Sequence, residues 1–255
     1  MSDLALAIRQ VRYTNKAFWR NPASAFFTFA FPLMFLVIFT ALFGSGTATS
    51  GGEEFSVAAL YVPGIATFAV ITACYTNIAI SVTFARDTGV LKRIHGTPLP
   101  GWAYVLARIL HAVVISVILV AIVAAFGRVF YDVDLPTSVS LVRFVVTLLV
   151  GAASFSALGL AITTVIPNAD ASPAIVNATI LPLLFVSGVF IPVTDSTPGW
   201  VDTVGKIFPI RHFVDAMNAA FLGMPFHWSD VLFVLLWGIA GLVVASRFFS
   251  WEPRK

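Results

Sequence analysis

Charge is scarce in this chain. Only 11% of its 255 residues are Asp, Glu, Lys or Arg, where a soluble domain carries about 25%. With 59% hydrophobic residues and a mean hydropathy of +0.95, there is too little polar surface to cover a globule in water. The composition is that of an integral membrane protein, and it excludes an ordinary soluble domain. The isoelectric point of about 9.2 rests on a net charge of only +3, so it does not call for a nucleic-acid partner. The single cysteine, Cys74, sits in an apolar run; no disulfide framework can be built, and a small core residue is the expectation. No cleavable leader is expected either, because Arg9, Arg12, Lys16 and Arg20 are spread among apolar residues.

Catalytic signatures are missing too. There is no Gly-x-x-x-x-Gly-Lys-Ser/Thr phosphate loop, so ATP hydrolysis by that route is excluded. Ser154, Ser156 and Ser187 lie in apolar runs without a Gly-x-Ser-x-Gly elbow, and a nucleophile without a base in reach does no acyl transfer. No Cys/His/Asp/Glu cluster has metal-ligand spacing. His111, alone in its apolar run, reads as a helix-packing or cavity-lining histidine. No carboxylate falls deep in an apolar run, which argues against proton or sodium coupling through this chain.

What is present is a set of long apolar runs: Ala25–Phe43, Leu60–Val82, Ala107–Phe126, Leu141–Ile166, Ala174–Val193 and Val231–Ser246. A spanning helix needs about 20 such residues. The lengths, without period-2 alternation, predict helices rather than a barrel. The fold expectation is an all-α membrane protein with six transmembrane helices. With the N-terminus placed in the cytoplasm, that side holds Arg9, Arg12, Lys16, Arg20, Arg86, Lys92, Arg93, Arg108, Arg247, Arg254 and Lys255. The outer side holds Arg128, Arg143, Lys206 and Arg211. Eleven cations against four is a positive-inside pattern, so both termini are expected in the cytoplasm of a multi-pass plasma-membrane protein.

Three segments fall outside the runs. Residues 1–22 place Leu4, Ile8, Val11 and Phe18 among basic residues, which predicts an amphipathic helix in the inner interface, broken by Asn21-Pro22. Residues 195–229 contain Pro198 and Pro209 at positions suited to a helix start and Gly223 at one suited to a helix end. They predict two short re-entrant helices on the outer side, packed against the fifth and sixth spans. The third segment is the polar cassette Arg86-Asp-Thr-Gly-Val-Leu-Lys-Arg-Ile-His-Gly-Thr-Pro-Leu99, between uncharged Phe55–Ala85 and Ile109–Gly127. Asp87 near one end and Lys92 and Arg93 near the other suit a helix dipole over Asp87–Ile94, and Pro98 and Pro100 stop it. Such a loop could dock on a soluble protein, or could merely fix topology by its charge.

The cassette resembles the Glu-Arg-Glu-x-Gly-Thr-Leu-Lys-x-Leu…Thr-Pro-Leu element of type-2 ATP-binding-cassette (ABC) exporter permeases, and it follows the second span as it does there. Leu183–Pro192, followed by Pro198-Gly199-Trp200 and Phe208-Pro209, is similar to that family's fifth-span signature, and Phe31-Pro32-Leu33-Met34-Phe35 resembles its first span. The resemblance covers essentially the whole chain and is nearest to the daunorubicin-resistance-like exporters of bacteria. It implies one permease domain over residues 1–255. The chain would pair with a second copy of itself or with a homologous permease, and the two with two separate ATPase subunits that carry ATP and Mg, while this chain binds no cofactor or metal and is not an enzyme. The cassette (86–99) would be a coupling helix on the ATPase, with Arg86, Asp87, Gly89, Leu91, Lys92 and Arg93 as contacts. Ser187, Gly188, Phe190 and Pro192 would shape an outer gate. The family's first acid is Ala85 here, its second is Asp87 rather than Glu, and Val90 replaces the usual Thr.

Two classes of function follow. One is an export permease for an amphiphilic drug, lipid or polyketide-like molecule, supported by uncharged, Phe-rich runs; the same architecture could export a polysaccharide or an ion. The other is a non-transport membrane scaffold, which would show no substrate-dependent ATP turnover.

Overall fold

The computed structural model describes residues 3–43, 46–50, 53–190 and 199–252. Helix α1, Asp3–Trp19, lies against the bundle, and α2 is Pro22–Phe43. Asn21 caps α2 by accepting the Ser24 N–H at 3.2 Å, and Pro22 occupies the first helical position, where no N–H is missed. A two-stranded antiparallel hairpin follows, β1 Thr47–Ser50 and β2 Glu53–Ser56. Helix α3, Val57–Asp87, starts with Ser56 accepting the Ala59 N–H and contains one π turn, Thr72–Thr76. The short α4 is Val90–His95. Then come α5 (Gly101–Tyr131), α6 (Ser138–Ile162), α7 (Ser172–Val186), α8 (Gly199–Ile207), α9 (Pro209–Leu222) and α10 (Trp228–Phe248).

Among the described residues, five helices are long and apolar enough to cross a bilayer: α2, α3, α5, α6 and α10. The fifth apolar run differs from expectation. Instead of continuing to Val193, its helix α7 ends at Val186, where Ser187 is followed by Gly188 at φ 81°. Fifteen residues rise only about 22 Å against a hydrocarbon core of about 30 Å.

Helix α3 is the core of the bundle: 78% of its apolar window is buried, against 17% for α2. It packs on α2, α5, α6 and α9. Helices α6 and α10 form the closest pair through small residues. A Cβ at Gly238 would fall inside contact distance of Ser154, and one at Gly241 would crowd Ala157 and Leu158. Without a hydrophobic drive between helices in lipid, close backbone approach supplies the attraction. Gly159 likewise seats α6 on the π turn; a Cβ there would stand 2.7 Å from the Tyr75 carbonyl oxygen. Cys74 is fully buried in that turn, as its apolar setting predicts.

In α1 the inward face is Ala7, Val11, Thr14 and Phe18, a regular four-three-four spacing, and Ile8 is turned out, 62% exposed. Helix α8 lies against α7. Helix α9 packs mainly against α3, α6 and α10, with a lighter contact on α7. The cause is composition: Ala216, Ala219 and Ala220 let α9 approach closely, while Phe213, Met217 and Phe221 fill the interior. The hairpin was also not anticipated, and the fold is therefore not all helix.

Candidate functional site

The cassette is built differently from a single helix over Asp87–Ile94. Helix α3 runs on through Asp87, Thr88 closes the turn, and Gly89 takes the left-handed conformation at φ 72°, which favours glycine. Helix α4 restarts at Val90. Pro100 then precedes α5.

That break sends neighbouring residues to opposite sides. Arg86 is 2% exposed. Its Nη1 donates to the Thr163 carbonyl at 2.9 Å, and its Nη2 donates to Ile166 at 2.7 Å and Pro167 at 3.2 Å. These are carbonyls at and just beyond the C-terminal end of α6, where helical partners run out. A guanidinium there satisfies them and meets the negative end of the helix dipole. Asp87, beside it, accepts from Arg86 Nε at 3.3 Å and from the Ala169 N–H. The pair thus clamps the turn joining α6 to α7 onto the end of α3. Leu91 is fully buried. Gly89 is partly exposed, and Lys92 and Arg93 are exposed. Of the six coupling candidates, the two cations of α4 face outward, while Arg86 and Leu91 are interior and Asp87 is largely covered.

The segment after α10 reaches the same place. The Trp251 ring stacks on His95 with centroids 5.1 Å apart, and Lys92 Nζ lies 3.4 Å from Glu252 Oε1. Nothing in the spacing of residues so far apart in sequence announced this contact, nor that of Arg86 with 163–167. On the α1 side, His111 meets the edge of Phe18 at 5.5 Å, in keeping with a packing histidine.

At the opposite end of the bundle, Phe190 is buried and central to an aromatic cluster. Its ring lies 5.7 Å from Phe35 and from Phe39, and 5.3 Å from Phe68 and from Phe185. Ser187 is fully buried, and its Oγ finds no partner among the described residues. Gly188 makes the left-handed turn between them. Pro192, the fourth gate candidate, lies outside the described residues, as does Pro198.

A polar group that sequence reasoning missed lies nearby. Arg211 Nε donates to Asp215 Oδ2 at 2.8 Å, and His212 bridges Asp230 Oδ1 at 2.7 Å and the Lys206 carbonyl at 3.0 Å. These bonds tie α8, α9 and α10 together. Arg211, Asp215, Asn218, His227 and Asp230 line a cavity of about 330 Å³. Burial raises the Asp215 carboxyl above its ordinary range, against the opposing pull of Arg211. The helical spacing of Arg211 and Asp215 was the available signal. Among the described residues no group of three His, Cys, Asp or Glu side chains could hold a metal ion.

Between α3, α6, α7, α9 and α10 runs an apolar cavity of about 380 Å³, lined by Tyr75, Phe155, Thr179, Leu183 and Trp237 among others. Its hydroxyl groups are the Tyr75 and Thr179 pair, 2.9 Å apart, and Thr164.

The whole-chain pattern has relatives. The family model described as ABC-2 type transporter matches residues 7–222. The protein ycf38 of Cyanophora paradoxa, whose name marks it as a transport permease, is 26% identical over 80% of this chain and 70% of its own length. The inner membrane transport permease YadH of Escherichia coli K12 is 25% identical over 86% of this chain and 82% of its own. The daunorubicin resistance ABC transporter permease protein DrrB1 of Streptomyces coeruleorubidus is 27% identical over 83% and 72%. With 216 of 255 residues inside the family model, the chain belongs to the ABC-2 type transporter family.

Proposed function

We propose that this chain is the membrane-spanning subunit of an ATP-driven exporter, moving an amphiphilic drug, lipid or polyketide-like molecule out of a bacterial cell. In this reading residues 1–255 form a single permease domain in the cytoplasmic membrane. Both termini and α4 lie inside, and α7 together with the apolar Val189 and Phe190 beyond its end makes up a sixth crossing. Helices α8 and α9 are re-entrant from the outer side. Two permeases work together by alternating access, and a separate ATPase subunit binds and hydrolyses MgATP.

The observation that carries the reading is the Arg86–Asp87 clamp. Helix α4 offers Lys92 and Arg93 to a soluble partner, and the clamp makes the base of α4 continuous with the α6–α7 turn. Force applied to α4 therefore reaches two membrane helices at once instead of being lost in a loop. At the other end Phe190 joins α2, α3 and the end of α7, where rigid-body motion of those helices would open or close a path. The amphiphile assignment is supported by the cavity at Tyr75 and Thr179: its walls are apolar and aromatic, with one hydroxyl pair to orient a polar group. A polysaccharide would want many more hydroxyl partners.

The test is transport in proteoliposomes holding the chain with the ATPase that co-purifies with it. A fluorescent amphiphile should move only when ATP is hydrolysed, and Tyr75→Phe should alter its apparent affinity. ATP turnover that no amphiphile stimulates, with an added oligosaccharide stimulating it instead, would transfer the architecture to polysaccharide export. An absence of any ATPase would leave the scaffold.

A further inference from the structure

Helix α4 has six residues, too few to persist alone, since helices shorter than about 12–15 residues are marginal in water. Gly89 at its start provides no side-chain cap. Its conformation must therefore come from what it touches. Leu91 anchors one side in the core. The other side meets the segment Phe249–Glu252.

That segment is itself held. The Phe249 N–H donates to the Ala245 carbonyl at 3.0 Å, and Ser250 Oγ donates to the Glu252 carbonyl at 3.0 Å, fixing a turn after α10. The turn delivers the Trp251 indole into a slot. One wall is the Cα of Gly101, where an added Cβ would stand 2.9 Å from the ring. Tyr104 lies 5.7 Å away at 59°, and Phe249 meets Trp251 edge-on at 5.1 Å. Against the remaining face lies His95, near-parallel at 24°. The Lys92–Glu252 contact, exposed on both sides, adds little; the indole makes the join.

We infer that Trp251 is a positioning residue, a strap through which the end of α10 and the start of α5 hold α4 in the orientation that docks on the ATPase. The inference rests on the proposed role of α4. Arg86 and Asp87 fix its approach from α3, and Trp251 fixes its far end. Without the strap, α4 spends only part of its time in the competent form, and apparent affinity falls by that fraction.

The experiment titrates the purified wild-type chain and its variants with the ATPase that co-purifies with the wild type, following ATP turnover. Trp251→Ala should raise the half-saturating ATPase concentration about tenfold, as if α4 were competent one-tenth of the time. The KM for ATP and the turnover at saturating ATPase should be unmoved. Trp251→Phe, which keeps an aromatic face for His95, should restore most of the affinity. Should Trp251→Ala fail to fold, Gly101→Ala, which pushes the indole from its slot, should give the same shift. A merely structural Trp251 would lower saturating turnover and melting temperature together and leave half-saturation in place, which would overturn the inference. If the wild-type chain itself binds no ATPase, the docking role and the strap fall together, and that failure is seen before any variant is made.

Discussion

Removing the Arg86 guanidinium should cost this protein more than any exposed cation of the cassette. The side chain is 2% exposed. It makes two short bonds, at 2.9 and 2.7 Å, to the Thr163 and Ile166 carbonyls. Two longer contacts reach Pro167 and Asp87. Hydrogen bonds to charged groups contribute about 1.5–3 kcal/mol each, so the short pair alone supplies roughly 3–6 kcal/mol. Deleting one partner of a buried pair costs about 3–5 kcal/mol, because the other charge is stranded; here that charge is Asp87. The two routes agree near 4 kcal/mol. At roughly 2–4 °C per kcal/mol for a chain of this size, Arg86→Ala should lower the melting temperature in detergent by about 8–16 °C. Arg86→Lys should recover less than half, since one ammonium cannot reproduce a fork aimed at separated carbonyls. Amide exchange at Ala169 should speed up in both variants, because Asp87 loses the partner that orients it. An Arg86→Ala protein that melts within 2 °C of wild type would refute the clamp.

Further outcomes are expected elsewhere. Gly159→Val, driven against the Tyr75 and Cys74 carbonyls, should destabilise by about 1–3 kcal/mol or more through overpacking, read as lost melting temperature. Phe190→Ala should cost about 3–5 kcal/mol and weaken export, because it empties the centre of the aromatic cluster; wild-type melting would remove the cluster from the account. Asp215 has a folded pKa raised by burial, so the folded state holds its proton more tightly than the unfolded chain. Stability should therefore fall as pH climbs from the ordinary carboxylate value through the raised one, and level off beyond both. The slope should be shallow, since the side chain stays 41% exposed and is screened. Asp215→Asn should flatten it, as melting curves across that range would show.

How far the sequence reaches can be judged residue by residue. The apolar runs were legible because a bilayer leaves no other use for an uncharged stretch such as Phe55–Ala85, and the helices centre on them. The start of α2 was legible in Asn21-Pro22, and the end of α9 in Gly223, which adopts φ 75°. The premature end of α7 was not, because Leu183–Phe190 remains apolar after the helix stops and only Gly188 marks the turn. The hairpin has a sequence signal in Gly51-Gly52, which the short flanking segments, Thr-Ala-Thr-Ser and Glu-Glu-Phe-Ser, obscured by their scarcity of β-forming residues. The cassette was conspicuous by its charge, yet charge does not say which way a side chain points. Arg86 and Arg93 look equivalent in sequence. What separates them is the set of backbone carbonyls 77–81 residues downstream that only Arg86 meets, and carbonyls carry no residue signature. The Trp251 slot was illegible for a related reason: its wall is the missing side chain of Gly101.

The central claim is that α4 is the face this permease shows to an ATPase. Its most direct test is co-purification from native membranes of the wild-type chain and of a Lys92→Glu, Arg93→Glu double variant. Both cations are exposed, so the variant should melt like wild type. The account predicts that a soluble ATPase with a phosphate loop accompanies the wild-type chain and is lost from the variant. Equal recovery of that ATPase with both proteins, or with neither, would contradict it.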